Sequence, residues 1–250
     1  MTKTYITPEG YYYGLYDSML QQTHILIGGA TGSGKSVVIN GFMHTALLQS
    51  PAMYQFILID LKRVELYEYR DLPHTIAYAD NITAAVAALQ QTLDIIERRY
   101  ESMQRSGLRK YDGSCVYVVI DELADLMTVD KKHVMPLLQR IAQIGRAANV
   151  KIIAATQCPL SSVIPTQIKV NFDTVIGLHT RSAQDSRNIL GVTGCESLPR
   201  YGQGFYQTPA GTQLYEISMY PDQERARILN YWKTYEKTQS KPSFLRKIFG

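Results

Sequence analysis

Residues 29–36 read Gly29-Ala30-Thr31-Gly32-Ser33-Gly34-Lys35-Ser36 and match G-x-x-x-x-G-K-[ST] at every fixed position. The three glycines let the backbone turn with its N–H groups pointing inward, which makes a nest for a polyphosphate. Lys35 is placed to reach the β- and γ-phosphates, and the Ser36 hydroxyl to hold Mg²⁺. A second reactive group follows the apolar run Val116–Ile120, where Asp121 and Glu122 stand side by side. Asp121 suits the Mg²⁺ shell, and Glu122 suits orienting or deprotonating an attacking water. The same pair also fits an acidic N-cap for a helix starting at Leu123. Gln157 closes another apolar run, Lys151–Thr156, where an amide can meet a γ-phosphate or serve as an ordinary strand-end group. Arg146 lies just ahead of that run. It is either a helix-end cation favoured by the helix dipole or an arginine presented to a neighbouring subunit's triphosphate. Asp60 ends a further apolar run, and Lys62 and Arg63 behind it offer it ion-pair partners.

These groups need strands that end at one edge and helices that leave from it. His24–Gly28 predicts a strand entering the glycine loop and 37–48 a helix leaving it, the order that gives the loop motif its mechanism. Gln55–Asp60, Thr75–Ala79, Val116–Glu122, Lys151–Gln157 and Thr174–His179 read as strands. Between them, Ile82, Val86, Leu89, Leu93, Ile96 and Tyr100 recur at helical spacing, as do Val134, Leu138, Ile141 and Ile144 within 132–148. Gly107–Gly113 breaks the longer helix. The alternation predicts an α/β fold with a mostly parallel central sheet and helices on both faces. Phe205–Tyr206 and Leu214–Ile217 predict a hairpin, and a last helix follows Pro221.

The chain has 250 residues, 45% apolar and 19% charged, with a net charge of +4. That is ordinary for a globular protein, and the positive balance is compatible with nucleic acid without requiring it. No apolar run is long enough to span a bilayer, and residues 1–20 do not resemble a secretion signal. Cys115, Cys158 and Cys195 are odd in number and lie far apart without metal-ligand spacing, which suits a reduced, cytoplasmic compartment. The expected organisation is a lead-in over 1–21, a motor domain over 22–237 and a basic tail over 238–250. The tail mixes Lys241, Arg246 and Lys247 with Phe244, Leu245, Ile248 and Phe249, so it is either frayed or a dock for a partner or membrane surface.

The blocks 24–36, Ile59-Asp60-Leu61-Lys62-Arg63-Val64-Glu65-Leu66, Val119–Met127, Gly145-Arg146-Ala147-Ala148, Ala155-Thr156-Gln157 and Asp185-Ser186-Arg187 occur in this order over about three quarters of the chain. Together they resemble the motor domain of the FtsK/SpoIIIE family of double-stranded DNA translocases. The glycine loop is generic; the Lys-x-Val-Glu-Leu and Asp-Glu-Leu-Ala-Asp-Leu-Met blocks are the specific ones. The resemblance implies a RecA-like P-loop ATPase using ATP and Mg²⁺, assembled as a homo-hexameric ring around double-stranded DNA. It casts Lys35, Glu122 and Gln157 as catalytic groups and Arg146 as a finger acting on the adjacent subunit. It also places two DNA-tracking loops at 158–170 and 181–187, with Lys169, Arg181 and Arg187 as candidate phosphate contacts or plain surface cations.

The chain departs from the family pattern at Cys158, where Arg is usual, and at Ala183, where a basic residue is common. Fewer cations weaken backbone attraction. Arg181 and the pairs Arg98-Arg99 and Arg109-Lys110 are the replacements on offer, unless they are only solvated. With Met1 close to the motor, the sequence suggests a stand-alone motor of a mobile element or phage, working with an element-encoded relaxase or recruitment protein that brings it to a membrane. Two other readings share the same engine, a type VII secretion-like ATPase moving protein and a conjugative coupling ATPase; a third, of another class, is an NTP-gated adaptor that recruits partners with little hydrolysis.

Overall fold

Because parallel strands need crossover connections rather than tight turns, helices alternate with strands along most of the chain. In the computed structural model, which describes residues 14–157 and 166–239, eight strands form one sheet in the order β3-β2-β4-β5-β1-β6-β7-β8. The strands are β1 (His24–Gly28), β2 (Tyr54–Ile59), β3 (Thr75–Ala79), β4 (Cys115–Ile120), β5 (Val150–Thr156), β6 (Thr174–Gly177), β7 (Gln203–Thr208) and β8 (Gly211–Glu216). The first six are parallel, and β7 and β8 close one edge as the antiparallel hairpin, pairing Phe205 with Leu214. The sheet therefore has the mostly parallel, helix-covered form expected.

Strands buried on both faces read as continuous apolar runs, and alternate residues serve opposite layers. In β4, Tyr117 and Val119 join the core on one face, while Val116, Val118 and Ile120 join the core on the other. The first face is covered by α1 (Gly14–Gln21), α2 (Lys35–Leu47) and α7 (Asp222–Gln239) through Tyr16, Met19, Phe42, Met43 and Trp232. The second is covered by α3 (Ile82–Ser106) and α4 (Leu123–Ile144) through Leu89, Ile96, Leu138 and Ile141.

Of the expected lead-in, 14–21 form α1, whose Tyr16 packs flat against Gly41 of α2 and donates from its hydroxyl to Ser218 O at 2.8 Å. A Cβ on Gly41 would collide with Cζ and both Cε atoms of the Tyr16 ring. The α3 boundaries follow local chemistry: the Asn81 side chain accepts from Ala84 N, and Gly107 ends the helix in the left-handed region at φ 68°. The two helices expected after Glu122 run together as α4, with a break at Asp130 (φ −149°, ψ 62°). Asp130 also caps the second half by accepting from His133 N at 3.3 Å.

One expected surface cation is structural. Arg99 is buried and donates to the carbonyls of Ala148 and Asn149 and to Ser114 Oγ, at 2.8, 3.1 and 3.2 Å. It ties α3 to the start of β5 and is withdrawn from any role in replacing lost DNA contacts. Its helix position gave no sign of this, because the carbonyls it satisfies lie about fifty residues away in sequence.

Candidate functional site

The chemistry-bearing residues meet at the carboxyl ends of the parallel strands, where α/β sheets present their ligand crevices. The glycine loop links β1 to α2. β5 lies between β1 and β4, so Gln157 at its end stands between the loop and the acid pair at the end of β4. A cavity of about 330 Å³ opens there, lined by Thr31, Gly32, Gly34, Lys35 and Ser36 from the loop. Its other walls are Lys62, Val64, Glu65, Asp121 and Gln157.

The loop is held from outside, which leaves its interior N–H groups to a ligand. Gly29 N donates to Thr156 O at 3.3 Å, and Ala30 N to His179 O at 2.8 Å. Gly32 and Gly34 have φ of 72° and 101°, the left-handed region where an L side chain is strained. Lys35 folds back so that Nζ donates to the Gly29 and Ala30 carbonyls, both at 2.8 Å. Burial lowers its pKa to about 8, against the opposing pull of Glu122 and Asp121.

Around the loop, carboxylates outnumber cations. Burial raises the Asp121 pKa to about 7, with Asp60, Glu65 and Glu122 adding repulsion and Lys62 opposing it. Ser36 Oγ donates to Glu65 Oε1 at 2.6 Å. Asp60 is fully buried; its Oδ2 accepts from Leu66 N at 2.9 Å, while Oδ1 has no partner among the described residues. The ion pairs offered to Asp60 do not form: Lys62 pairs with Asp125 at 3.0 Å and Arg63 with Asp80 at 3.2 Å. Asp60 instead fixes the 60–66 turn that carries Glu65 to the loop.

Glu122 and Gln157 act as a unit. Gln157 N donates to both Glu122 carboxylate oxygens at 3.1 Å, and Ala124 N donates to Oε1 at 3.3 Å. Glu122 thus caps α4, as one of the two readings of the acid pair expected, and it is tied to the cavity wall through Gln157. Burial raises its pKa, and these hydrogen bonds pull the other way. The Gln157 side chain accepts from Thr31 Oγ1 at 2.6 Å. A continuous path of hydrogen bonds therefore runs from the glycine loop through Gln157 to Glu122.

The remaining expected residues stand apart. Arg146 is exposed at the start of the β5 connection, the far end of the strand from Gln157, so it does not reach this cavity within the same chain. Lys169 is partly buried and donates to Asn188 O at 3.1 Å. Arg181 and Arg187 are exposed beside α6 (Ala183–Leu190), with Arg187 near Gln184 Oε1 at 3.5 Å. Of the two expected DNA-tracking loops, 158–165, including Cys158, lies outside the described residues, as does the tail 240–250. Glu65 received no role from the sequence. Its place in the Lys-x-Val-Glu-Leu block was the available signal.

A divalent cation fits this donor set. Asp121, Glu65 and the Ser36 hydroxyl face one space in which negative charge is in excess. Among the described residues no cluster of three or more His, Cys, Asp or Glu makes a metal site by itself.

Residues 15–115 match the FtsK/SpoIIIE family. A DNA translocase FtsK of Staphylococcus epidermidis is 37% identical over 84% of this chain, and one of Lactococcus lactis subsp. cremoris 37% identical over 72%. The chain spans 29% and 27% of those relatives' lengths. Among solved structures, the pCW3 conjugation coupling protein TcpA with ATPγS superposes with a TM-score of 0.73 at 25% identity, over 85% of this chain and 65% of TcpA. The EssC ATPases 2 and 3 of Geobacillus thermodenitrificans superpose with a TM-score of 0.74 at 19% identity, over 95% of this chain and 49% of that one, a likeness of fold. With the glycine loop, the acid pair and the bridging strand in place, the chain belongs to the FtsK/SpoIIIE family of P-loop ATPases.

Proposed function

We propose that this chain hydrolyses ATP to drive movement along double-stranded DNA. The observation that carries the reading is the hydrogen-bonded link Thr31–Gln157–Glu122, which ties the phosphate loop to Glu122 through a residue that lines the same cavity as Asp121. An adaptor that only binds nucleotide has no need of a desolvated acid tied to the loop in this way, and family membership favours DNA as the track. Lys35 and the loop N–H groups bind the polyphosphate. Mg²⁺, held by Ser36 and Asp121 with Glu65 behind the serine, supplies charge neutralisation at the phosphates. Glu122 accepts the proton of the attacking water, and Gln157 reports the γ-phosphate to it. Arg146 reads best as a finger acting on the neighbouring subunit of a homo-hexameric ring, because its exposed position leaves it useless to its own site.

On the DNA side, Arg181, which follows β6, and Arg187, on α6, are exposed cations, and contact is to phosphate, without base readout. The partly buried Lys169, held at the Asn188 carbonyl, contributes less. The test is ATPase rate against duplex DNA across a salt series, with Lys35→Ala as the inactive control. DNA stimulation that falls steeply with salt supports the reading. A rate indifferent to DNA at low salt but raised by a polypeptide overturns it in favour of protein transport.

A further inference from the structure

The turn between β6–α6 and the closing hairpin places a guanidinium against the phosphate loop. Arg200 Nη2 lies 3.3 Å, and Nε 3.8 Å, from the point a Cβ would occupy on Gly32. Gly32 is a cavity-lining residue in the left-handed region, at the outer bend of the loop. This approach is braced through the backbone. Ala30 N donates to His179 O, and His179 Nδ1 donates to Leu198 O, both at 2.8 Å. Since a carbonyl can only accept, the His179 proton sits on Nδ1. Leu198 is buried and extended at φ −66°, ψ 149°, as suits a residue before Pro199. Gly202 at φ 82° turns the chain back into β7. The stem of Arg200 is therefore fixed to the same loop that its head covers.

The charge on that head is uncommitted. Arg200 is exposed, forms no ion pair among the described residues, and has only a loose contact with the Tyr201 ring at 5.5 Å. The other cations near the cavity are engaged: Lys62 with Asp125, and Lys35 with two loop carbonyls. Arginine's planar fork suits phosphate oxygens, and an arginine so close to the loop meets them without crossing a subunit boundary. We propose that Arg200 is a phosphate ligand acting in cis, its guanidinium closing over Gly32 onto the terminal phosphates of the nucleotide bound by its own chain. The proposal rests on the triphosphate-site reading above and adds to it a positive charge that Arg146 in trans does not supply.

The test is equilibrium binding of ATPγS to the full chain and its Arg200→Ala, Arg200→Gln and Arg200→Lys variants, with thermal unfolding to confirm that each is folded and Lys35→Ala as control. One charged hydrogen bond corresponds to at least a tenfold change in Kd. Tenfold or greater weakening in Arg200→Ala and Arg200→Gln, partly restored in Arg200→Lys, supports the proposal. Wild-type affinity in these variants, with binding lost in Lys35→Ala, overturns it while leaving the triphosphate site intact. A wild-type chain that binds no ATPγS overturns both. Mixing Arg200→Ala with Lys35→Ala chains then separates cis from trans. Turnover no higher than the sum of the two alone supports action in cis, and recovered turnover assigns the arginine to the neighbour's site instead.

Discussion

Replacing Asp121 with Asn should stabilise the folded protein and abolish its turnover, and the stabilisation should depend on pH in a defined way. Burial and the nearby Asp60, Glu65 and Glu122 raise the Asp121 pKa from 3.8 to about 7. An acid raised on folding favours the folded state while it is protonated. Stability is therefore fully present below about pH 3.8, falls as pH climbs through the interval to 7, and is flat above it. At 1.36 kcal/mol per pH unit the interval amounts to at most about 4 kcal/mol. Asn keeps the shape of the protonated group and carries no charge, so it escapes this cost. In urea unfolding with chelator present, the Asp121→Asn variant should be more stable than wild type by about 1.6 kcal/mol at pH 5 and by up to about 4 kcal/mol at pH 8.5. Adding Mg²⁺ with ATPγS should narrow the gap by favouring the ionised wild-type carboxylate. A gap of the same size at pH 5 and pH 8.5 would refute the reasoning, because a difference independent of pH cannot come from ionisation.

The other expectations concern single contacts. Glu122→Gln should retain bound ATP with turnover reduced at least about a hundredfold; undiminished single-turnover hydrolysis would remove Glu122 from the base role. His24 is buried, accepts from Ile152 N at its Nδ1 and faces Ala142 O with Nε2, and burial lowers its pKa from 6.5 to about 4. Being held neutral, it should cost the fold up to about 3 kcal/mol as pH falls from 6.5 to 4. A His24→Gln variant should lose that part of the acid sensitivity, and an unchanged pH profile of unfolding would count against it. Gly41→Ala should destabilise by about 1–3 kcal/mol by overpacking against the anchored Tyr16 ring; Tyr16→Phe, which keeps the ring, should not relieve it in denaturant titration.

Motifs whose meaning is local were legible in the chain itself. The glycine loop is eight consecutive residues, its conformation depends on its own glycines, and strand and helix periodicity on either side placed it at a strand end. The acid pair, the Gly107 end of α3 and the closing hairpin were readable for the same reason: each depends on neighbours in sequence. Burial of alternate residues on both sheet faces follows from the unbroken apolar runs of β1, β4 and β5.

What escaped the sequence was every role set by a partner far along the chain. Arg99 looks like half of a surface pair but satisfies carbonyls some fifty residues on. Asp60 looks paired with Lys62 or Arg63 and is instead the anchor of its own turn. Glu65 meets Ser36, and Thr31 meets Gln157, across 29 and 126 residues. Arg200 reaches Gly32 only because His179 binds both the loop and Leu198. By itself, then, the sequence determined the fold class, the phosphate loop and the acid pair, since these are written in short-range spacing and hydrophobic period. Only the tertiary structure decided which charges are buried, which are paired and which are left free to face a ligand. Desolvation and Coulomb terms depend on distances in space, and strand order, with β5 set between β1 and β4, is what fixes those distances.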